Sequence, residues 1–144
     1  DDALHATKAA IEEGIVPGGG TALLYASSGL EAKTTGAQIV IEACAKPFNQ
    51  ILVNAGFDEV KGQILADQLV NSGNDAWAGF NIKTEEVVNM KKAGIIDPTK
   101  VARTALQNAA SVAGTVLLTE CTVVNEPSEE EKQPQIDPSM MGMM

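Results

Sequence analysis

Three consecutive glycines, Gly18-Gly19-Gly20, stand between two stretches of helical pattern. Glycine loses more backbone entropy on folding than any other residue, so a run of it needs a reason. One reason is close approach. Without side chains, the unpaired N–H groups and positive dipole end of a helix N-terminus are open to a nucleotide or phosphate. Upstream, Asp2-Ala3-Leu4-His5-Ala6-Thr7 puts a carboxylate several helical turns back along the same excursion. An acid paired with a glycine shelf outlines a nucleotide site. Taken singly, each residue has a plainer reading. A glycine run is more often a tight turn between helices. Asp2 suits a helix dipole, and Asp97, just before Pro98, is first of all an N-cap. Asn81 reads as a turn residue, and Trp77 and Phe80 as core or interface. GxxxxGK[ST] and GxGxxG are absent, as are a Ser-His-Asp set and any metal-ligand spacing.

Composition limits the scaffold that must hold these residues. With 144 residues, one domain with a real core is possible. Hydrophobic residues make up 44% and aromatics only 3%, so aliphatic and alanine packing fills the interior, which favours close-packed helices. The net charge of −9 argues against nucleic acid and anionic membrane as partners. Glu126, Glu129, Glu130, Glu131 and Asp137 against Lys132 put −4 of it in the tail, leaving −5 for the rest. Cys44 and Cys121 read as buried free thiols of a reducing compartment. No run approaches the ~20 apolar residues of a membrane span. The chain opens on Asp1 without a signal-peptide pattern, and is expected to be a piece of a longer protein.

The pattern along the chain predicts a mainly α fold. Asp2 to Glu13 reads as a helix stopped by Gly14, and Thr21 to Ala26 as its successor after the glycines. Thr35 to Ala45 is helical, with Ile39, Val40 and Cys44 as its inner face. Pro47 suits the first turn of the next helix and Gly56 caps its end. Asp58 to Val70 is another helix, carrying Val60, Ile64 and Leu65. Trp77-Ala78-Gly79-Phe80-Asn81 makes a short hairpin. Thr84 caps a helix through Met90, with Glu85 and Glu86 in its first turn and Lys91, Lys92 and Gly94 at its end. Asp97-Pro98 opens a long helix rich in small residues. Thr119 to Val124 reads as a strand. With no convincing partner it needs one from another chain or a missing segment. Residues 126–144 are expected to form a disordered acidic, Met-rich tail.

In order, Asp-Ala-Leu-His-Ala-Thr, Glu-Glu-Gly-Ile-Val-Pro-Gly-Gly-Gly, Gly-Phe-Asn, Gly-Ile-Ile-Asp-Pro-Thr-Lys-Val, Ala-Ala-Ser-Val-Ala-Gly and Leu-Leu-Thr-Glu-Cys resemble the C-terminal part of group I chaperonins of the GroEL type. The resemblance runs from Asp1 to about Asn125, and the Met- and Gly-bearing end looks like a shortened form of that family's tail. It implies a helical equatorial-domain segment over 1–125, with a small hairpin and a C-terminal strand that pairs with a neighbouring subunit. It also implies an ATP site. Asp2 matches the acid that positions the hydrolytic water or metal at the γ-phosphate. Gly18 and Gly19 match glycines lying against ribose and base. Asp97 matches the acceptor of ribose hydroxyls, and Asn81 an adenine-side contact. Ile82 and Lys83 replace two small residues of the familiar bacterial chains. They either narrow the adenine pocket or offer backbone contacts.

The resemblance further implies an ATP-hydrolysing protein-folding machine of the cytoplasm or an organelle matrix. It would form stacked heptameric rings and bind clients and a co-chaperonin through other domains. The phosphate loop and the main Mg ligand belong to the family's N-terminal half. This segment alone would then carry half of a nucleotide site, with weak or absent ATP hydrolysis. The competing reading is a non-enzymatic helical assembly module in which the glycines form a packing turn only.

Overall fold

The computed structural model describes residues 2–71 and 75–125. Helix α1 (Asp2–Glu13) ends at Gly14, whose φ of 81° is the left-handed turn that glycine adopts without strain. The chain then forms a short strand β1 (Ile15–Pro17), crosses the glycines, and enters α2 (Thr21–Ser27). Three helices follow: α3 (Thr35–Ala43), α4 (Lys46–Asn54) and α5 (Glu59–Asn71). The Thr34 hydroxyl accepts from the Ala37 N–H at 3.2 Å to start α3, and Pro47 occupies the first turn of α4. Gly56, with φ 93°, ends α4.

Strands β2 (Ala78–Asn81) and β3 (Glu86–Asn89) form an antiparallel hairpin, with Phe80 opposite Val87. One turn of helix, α6 (Met90–Ala93), follows, started by Asn89 and closed by left-handed Gly94. Strand β4 (Ile96–Pro98) returns antiparallel to β1, with Val16 opposite Asp97. Helix α7 (Thr99–Leu117) closes the fold. The expected mainly α fold with a small hairpin is the observed one.

The core joins α2, α4, α5 and β2. Leu24, Phe48, Leu52, Leu65, Ala66, Leu69, Ala78 and Phe80 form one buried cluster. Phe57 meets Phe80 edge to face, with centroids 5.8 Å apart. Outside this cluster, α1 packs along α7 without burying a side chain of either helix. The Lys100 ammonium pairs with Glu12, and the Arg103 fork donates to both Glu13 oxygens at 2.7 and 3.0 Å.

Several expectations need correction. Thr84 to Met90 is not a helix. Val87 and Val88 are β-branched and have β2 to pair with, while Glu85 takes a left-handed φ of 55° in the connecting turn. Trp77 to Asn81 is therefore one arm of the hairpin rather than the whole. Asp97 does not cap α7. Pairing with β1 holds it extended, and Pro98 is the N-cap residue, with no side-chain bond. Ile39 and Val40 are not an inner face: they are exposed, and of the three only Cys44 is buried. On α5, Leu65 is buried, but Val60 and Ile64 face outward. Cys121 is exposed rather than buried. Thr119 to Val124 forms no strand, because no strand among the described residues pairs with it. The expected tail, 126–144, lies outside the described residues.

Candidate functional site

The three glycines do three different things. Gly18 lies flat against the approach to β4. Its N–H donates to the Ile95 carbonyl at 3.0 Å, and a Cβ would sit 3.1 Å from that carbonyl carbon. Gly20, at φ 76°, admits the start of α4. A Cβ there would lie 2.5 Å from the Phe48 backbone nitrogen, closer than side-chain atoms pack. Gly19, at φ 67°, has only the Met90 methyl near it, at 3.6 Å from a would-be Cβ. Two glycines bring backbones together, and the third opens a space.

That space is a cavity of about 480 Å³, within the range of small-molecule sites. Phe48, Ile51 and Leu52 of α4 form one wall, and Phe80 to Lys83 of the hairpin another. Met90, Ile95 and Gly19 complete it. Met90 is fully buried, and Gly79 makes room for it. A Cβ on Gly79 would stand 2.5 Å from the Met90 Cγ. The cavity is thus mostly apolar, with Asn81 and Lys83 as its polar side chains. Asn81 Oδ1 accepts from the Lys83 N–H at 3.0 Å, which tightens the turn after β2.

Asp97 lies two residues along the chain from Ile95. Because it does not cap α7, its carboxylate has no hydrogen-bond or charged partner among the described residues. Partial burial alone pushes its pKa above the ordinary carboxylate value. A half-buried carboxylate in that condition can accept hydroxyl hydrogen bonds from a ligand.

Asp2 belongs elsewhere. It lies at the far end of α1, about 18 Å for a helix of this length. There it borders a second groove of about 480 Å³ between α1 and α7, with His5, Lys8, Glu12, Pro98 and Lys100. The structure therefore brings Gly19 and Asn81 into one cavity and leaves Asp2 in a separate groove; Gly18 and Asp97 line neither, Asp97 standing in β4 between Ile95, which lines the first, and Pro98, which lines the second.

Sequence reasoning missed Met90 and Ile95, which shape the cavity. The sequence signal for Met90 was Gly79, a small residue in a strand where a large neighbour must fit. Ile95 carried no comparable signal. Among the described residues, no three His, Cys, Asp or Glu side chains cluster as metal ligands. No helix among them is long and apolar enough to cross a membrane.

Comparison with known proteins gives two findings. The family model described as the TCP-1/cpn60 chaperonin family matches residues 1–127. Among solved structures, the chain is similar to a group III chaperonin crystallised in its open state. The TM-score is 0.68 at 29% sequence identity, over 80% of this chain. The match covers 25% of that relative, so the chain spans about a quarter of its length.

Proposed function

This chain belongs to the TCP-1/cpn60 chaperonin family, and from that premise we propose that it supplies the sugar-and-base half of an ATP site in a larger ring-forming subunit. Residues 1–125 would be the C-terminal part of the equatorial domain of a group I subunit, with 126–144 as its tail. Asp97 carries the reading. A carboxylate that is half buried and without a partner, two residues along the chain from the Ile95 that lines the cavity, suits ribose hydroxyls, which would replace the water it lost on folding. Gly19 leaves room for the sugar and base, Gly18 keeps the backbone close to Ile95, and Asn81 meets the base edge. The apolar walls suit the faces of a purine better than a phosphate.

Asp2, at the end of α1, would orient the attacking water at the γ-phosphate once the nucleotide spans both halves. Among the described residues no three His, Cys, Asp or Glu side chains cluster, so a Mg ion held with the phosphates would take most of its protein ligands from elsewhere. Its main ligand and the phosphate loop are assigned to the rest of the subunit. Client proteins, a co-chaperonin, heptameric rings and a cytoplasmic or organelle-matrix location are part of the same reading. They concern the whole subunit rather than these residues. The isolated 144-residue chain is expected to hydrolyse ATP weakly or not at all.

The test is titration of the full-length subunit with ADP. Asp97→Ala should weaken binding about tenfold, as loss of hydrogen bonds to a charged group does. Unchanged affinity would favour the assembly-module reading. ATP turnover by the isolated chain, abolished by Asp2→Ala, would overturn the half-site division.

A further inference from the structure

Met90 sits where the walls of the cavity are joined. Its N–H donates to the carbonyl of Trp77, just before β2, at 2.8 Å, and its own carbonyl accepts from the Ile95 N–H at 2.9 Å. The Ile95 carbonyl in turn accepts from the Gly18 N–H at 3.0 Å. A run of backbone hydrogen bonds therefore leads from the hairpin through Met90 and Ile95 to the glycines. The Met90 side chain spans the same gap. A Cβ on Gly79 of β2 would stand 2.5 Å from its Cγ and 3.1 Å from its methyl, and a Cβ on Gly19 would stand 3.6 Å from that methyl.

Water does not reach Met90, which is 0% exposed although it backs the cavity. A ligand would therefore touch Gly19 and the hairpin rather than the thioether. What Met90 controls is where those two walls stand relative to each other. Its flexible chain and soft sulfur can fill a gap between two backbones, and its length sets the width of that gap. Both backbone polar groups of Met90 are held by hydrogen bonds, so any crowding must be taken up by the side chain. The open space beside that side chain is the cavity.

We propose that Met90 is a positioning residue for the nucleotide, holding Gly19 and strand β2 at the spacing that seats sugar and base. The proposal rests on the nucleotide reading above and adds to it a residue that acts through its neighbours. It also makes Gly79 matter to binding from outside the cavity. A methyl group on Gly79 must push Met90 away from β2, towards Gly19 and the space the ligand would take. Gly79 does not itself line the cavity, so its effect on binding passes through Met90.

The experiment is calorimetric titration of the full-length subunit with ADP, in a double-mutant cycle of Gly79→Ala and Met90→Ala. Met90→Ala should weaken ADP about tenfold and Gly79→Ala about fivefold. Made on top of Met90→Ala, the Gly79 change should weaken ADP by less than about a further twofold, because no thioether is left to push. An equal effect of Gly79→Ala in both backgrounds, or none in either, overturns the proposal. Leu69→Ala tests whether affinity merely follows stability. Leu69 is 1% exposed and lies in the buried cluster without lining the cavity. The change should lower the melting temperature and leave ADP affinity within about twofold. A loss of affinity as large as that of Met90→Ala overturns the proposal. If Gly79→Ala does not fold, Met90→Leu decides, being close in volume but one atom shorter towards Gly19. ADP weaker by about threefold is then expected, and unchanged affinity overturns the proposal. A wild-type subunit that binds no ADP overturns the nucleotide reading and the proposal with it. Wild-type binding with an additive cycle overturns the proposal alone.

Discussion

The bundle of α2, α4, α5 and β2 and the pair α1–α7 draw on the same stock of alanine and branched aliphatics, yet they are held in different ways. The bundle closes over Phe48, Leu52, Leu69 and Phe80, and leaves its main vacancy next to Gly19. The α1–α7 pair buries nothing fully. Leu4, Ile11, Val112, Val116 and Leu117 are all exposed, and charged side chains tie the two helices together. The bundle holds the site by packing, so its geometry should tolerate salt and resist small perturbations. The pair holds Asp2 by surface charges, which water and salt weaken. The bundle can thus be rigid while α1, the helix bearing Asp2, is held more loosely.

The largest effect should come from the bundle. Leu52 is 1% exposed, and Leu52→Ala should cost about 3 kcal/mol of stability by losing burial and leaving a cavity. Leu117→Ala, at a residue 82% exposed, should cost no more than about 0.5 kcal/mol. Thermal and urea unfolding of the 144-residue chain measure both. Equal losses would erase the distinction between the regions. Next comes Gly20→Ala, where a Cβ would meet the Phe48 backbone nitrogen at 2.5 Å and φ is 76°. A backbone cannot swing aside as a side chain does, so a loss of about 2 kcal/mol or more is expected. Gly14→Ala, with φ 81° and open space around it, should cost only about 1 kcal/mol. The difference between the two isolates close packing from backbone strain.

Local punctuation was legible in the sequence, and long-range pairing was not. Gly14 and Gly56 end helices with positive φ, as the sequence implied, whereas Gly94 closes the single turn α6 rather than the helix expected from Thr84. Pro47 likewise marked the first turn of α4. Asp97-Pro98 has the local chemistry of a helix start, but it lies beside Ile15 to Pro17, some eighty residues earlier in the chain. That ladder holds Asp97 extended, and no local pattern contains it. Thr84-Glu85-Glu86 was misread for a related reason. Its helix-start chemistry competes with the hairpin, and β2 decides the outcome by offering Val87 and Val88 a pairing surface. Ile39 and Val40 show the limit of periodicity. It identifies an apolar face but not whether anything covers it. Of the residues singled out in the sequence, Gly19 and Asn81 line one cavity, but the separation of Asp2 from them follows only from the direction of α1.

Asp97, on β4 between the two regions, offers a subtler probe. Burial raises its pKa above the ordinary carboxylate value of 3.8, so the folded state holds its proton more tightly than the unfolded state. Stability contributed by this group is therefore greatest at low pH. It falls as pH rises from the unfolded value through the folded one, and stays lower above it. Asp97→Asn should slightly stabilise the ligand-free protein at pH 7 while weakening ADP binding to the full-length subunit by about tenfold. Wild-type affinity should rise with pH through the same window and then level off, and Asp97→Asn should remove that component. A variant that loses stability at neutral pH, with affinity unchanged, would make Asp97 a structural residue instead.

The smallest effect on global stability should come from the α1–α7 ties. Arg103 lowers the Glu13 pKa through its hydrogen bonds, and Lys100 does the same to Glu12. A carboxylate with a lowered folded pKa contributes above its unfolded value, here 4.5, and loses that contribution as pH falls through the folded value. These groups are exposed, so both ties should be screened by salt. Arg103→Ala should leave the main unfolding transition of the bundle nearly in place. It should increase hydrogen exchange along α1, and so should 1 M salt or acid acting on the wild type. The same change should not alter exchange at Leu52 or Leu69, which lie in the buried cluster with no residue of α1 or α7. If Arg103→Ala instead lowers the melting temperature as far as Leu52→Ala does, α1 and α7 belong to the same cooperative unit as the bundle. Asp2 would then be fixed as firmly as Gly19 and Asn81, and its placement would no longer depend on the rest of a larger subunit.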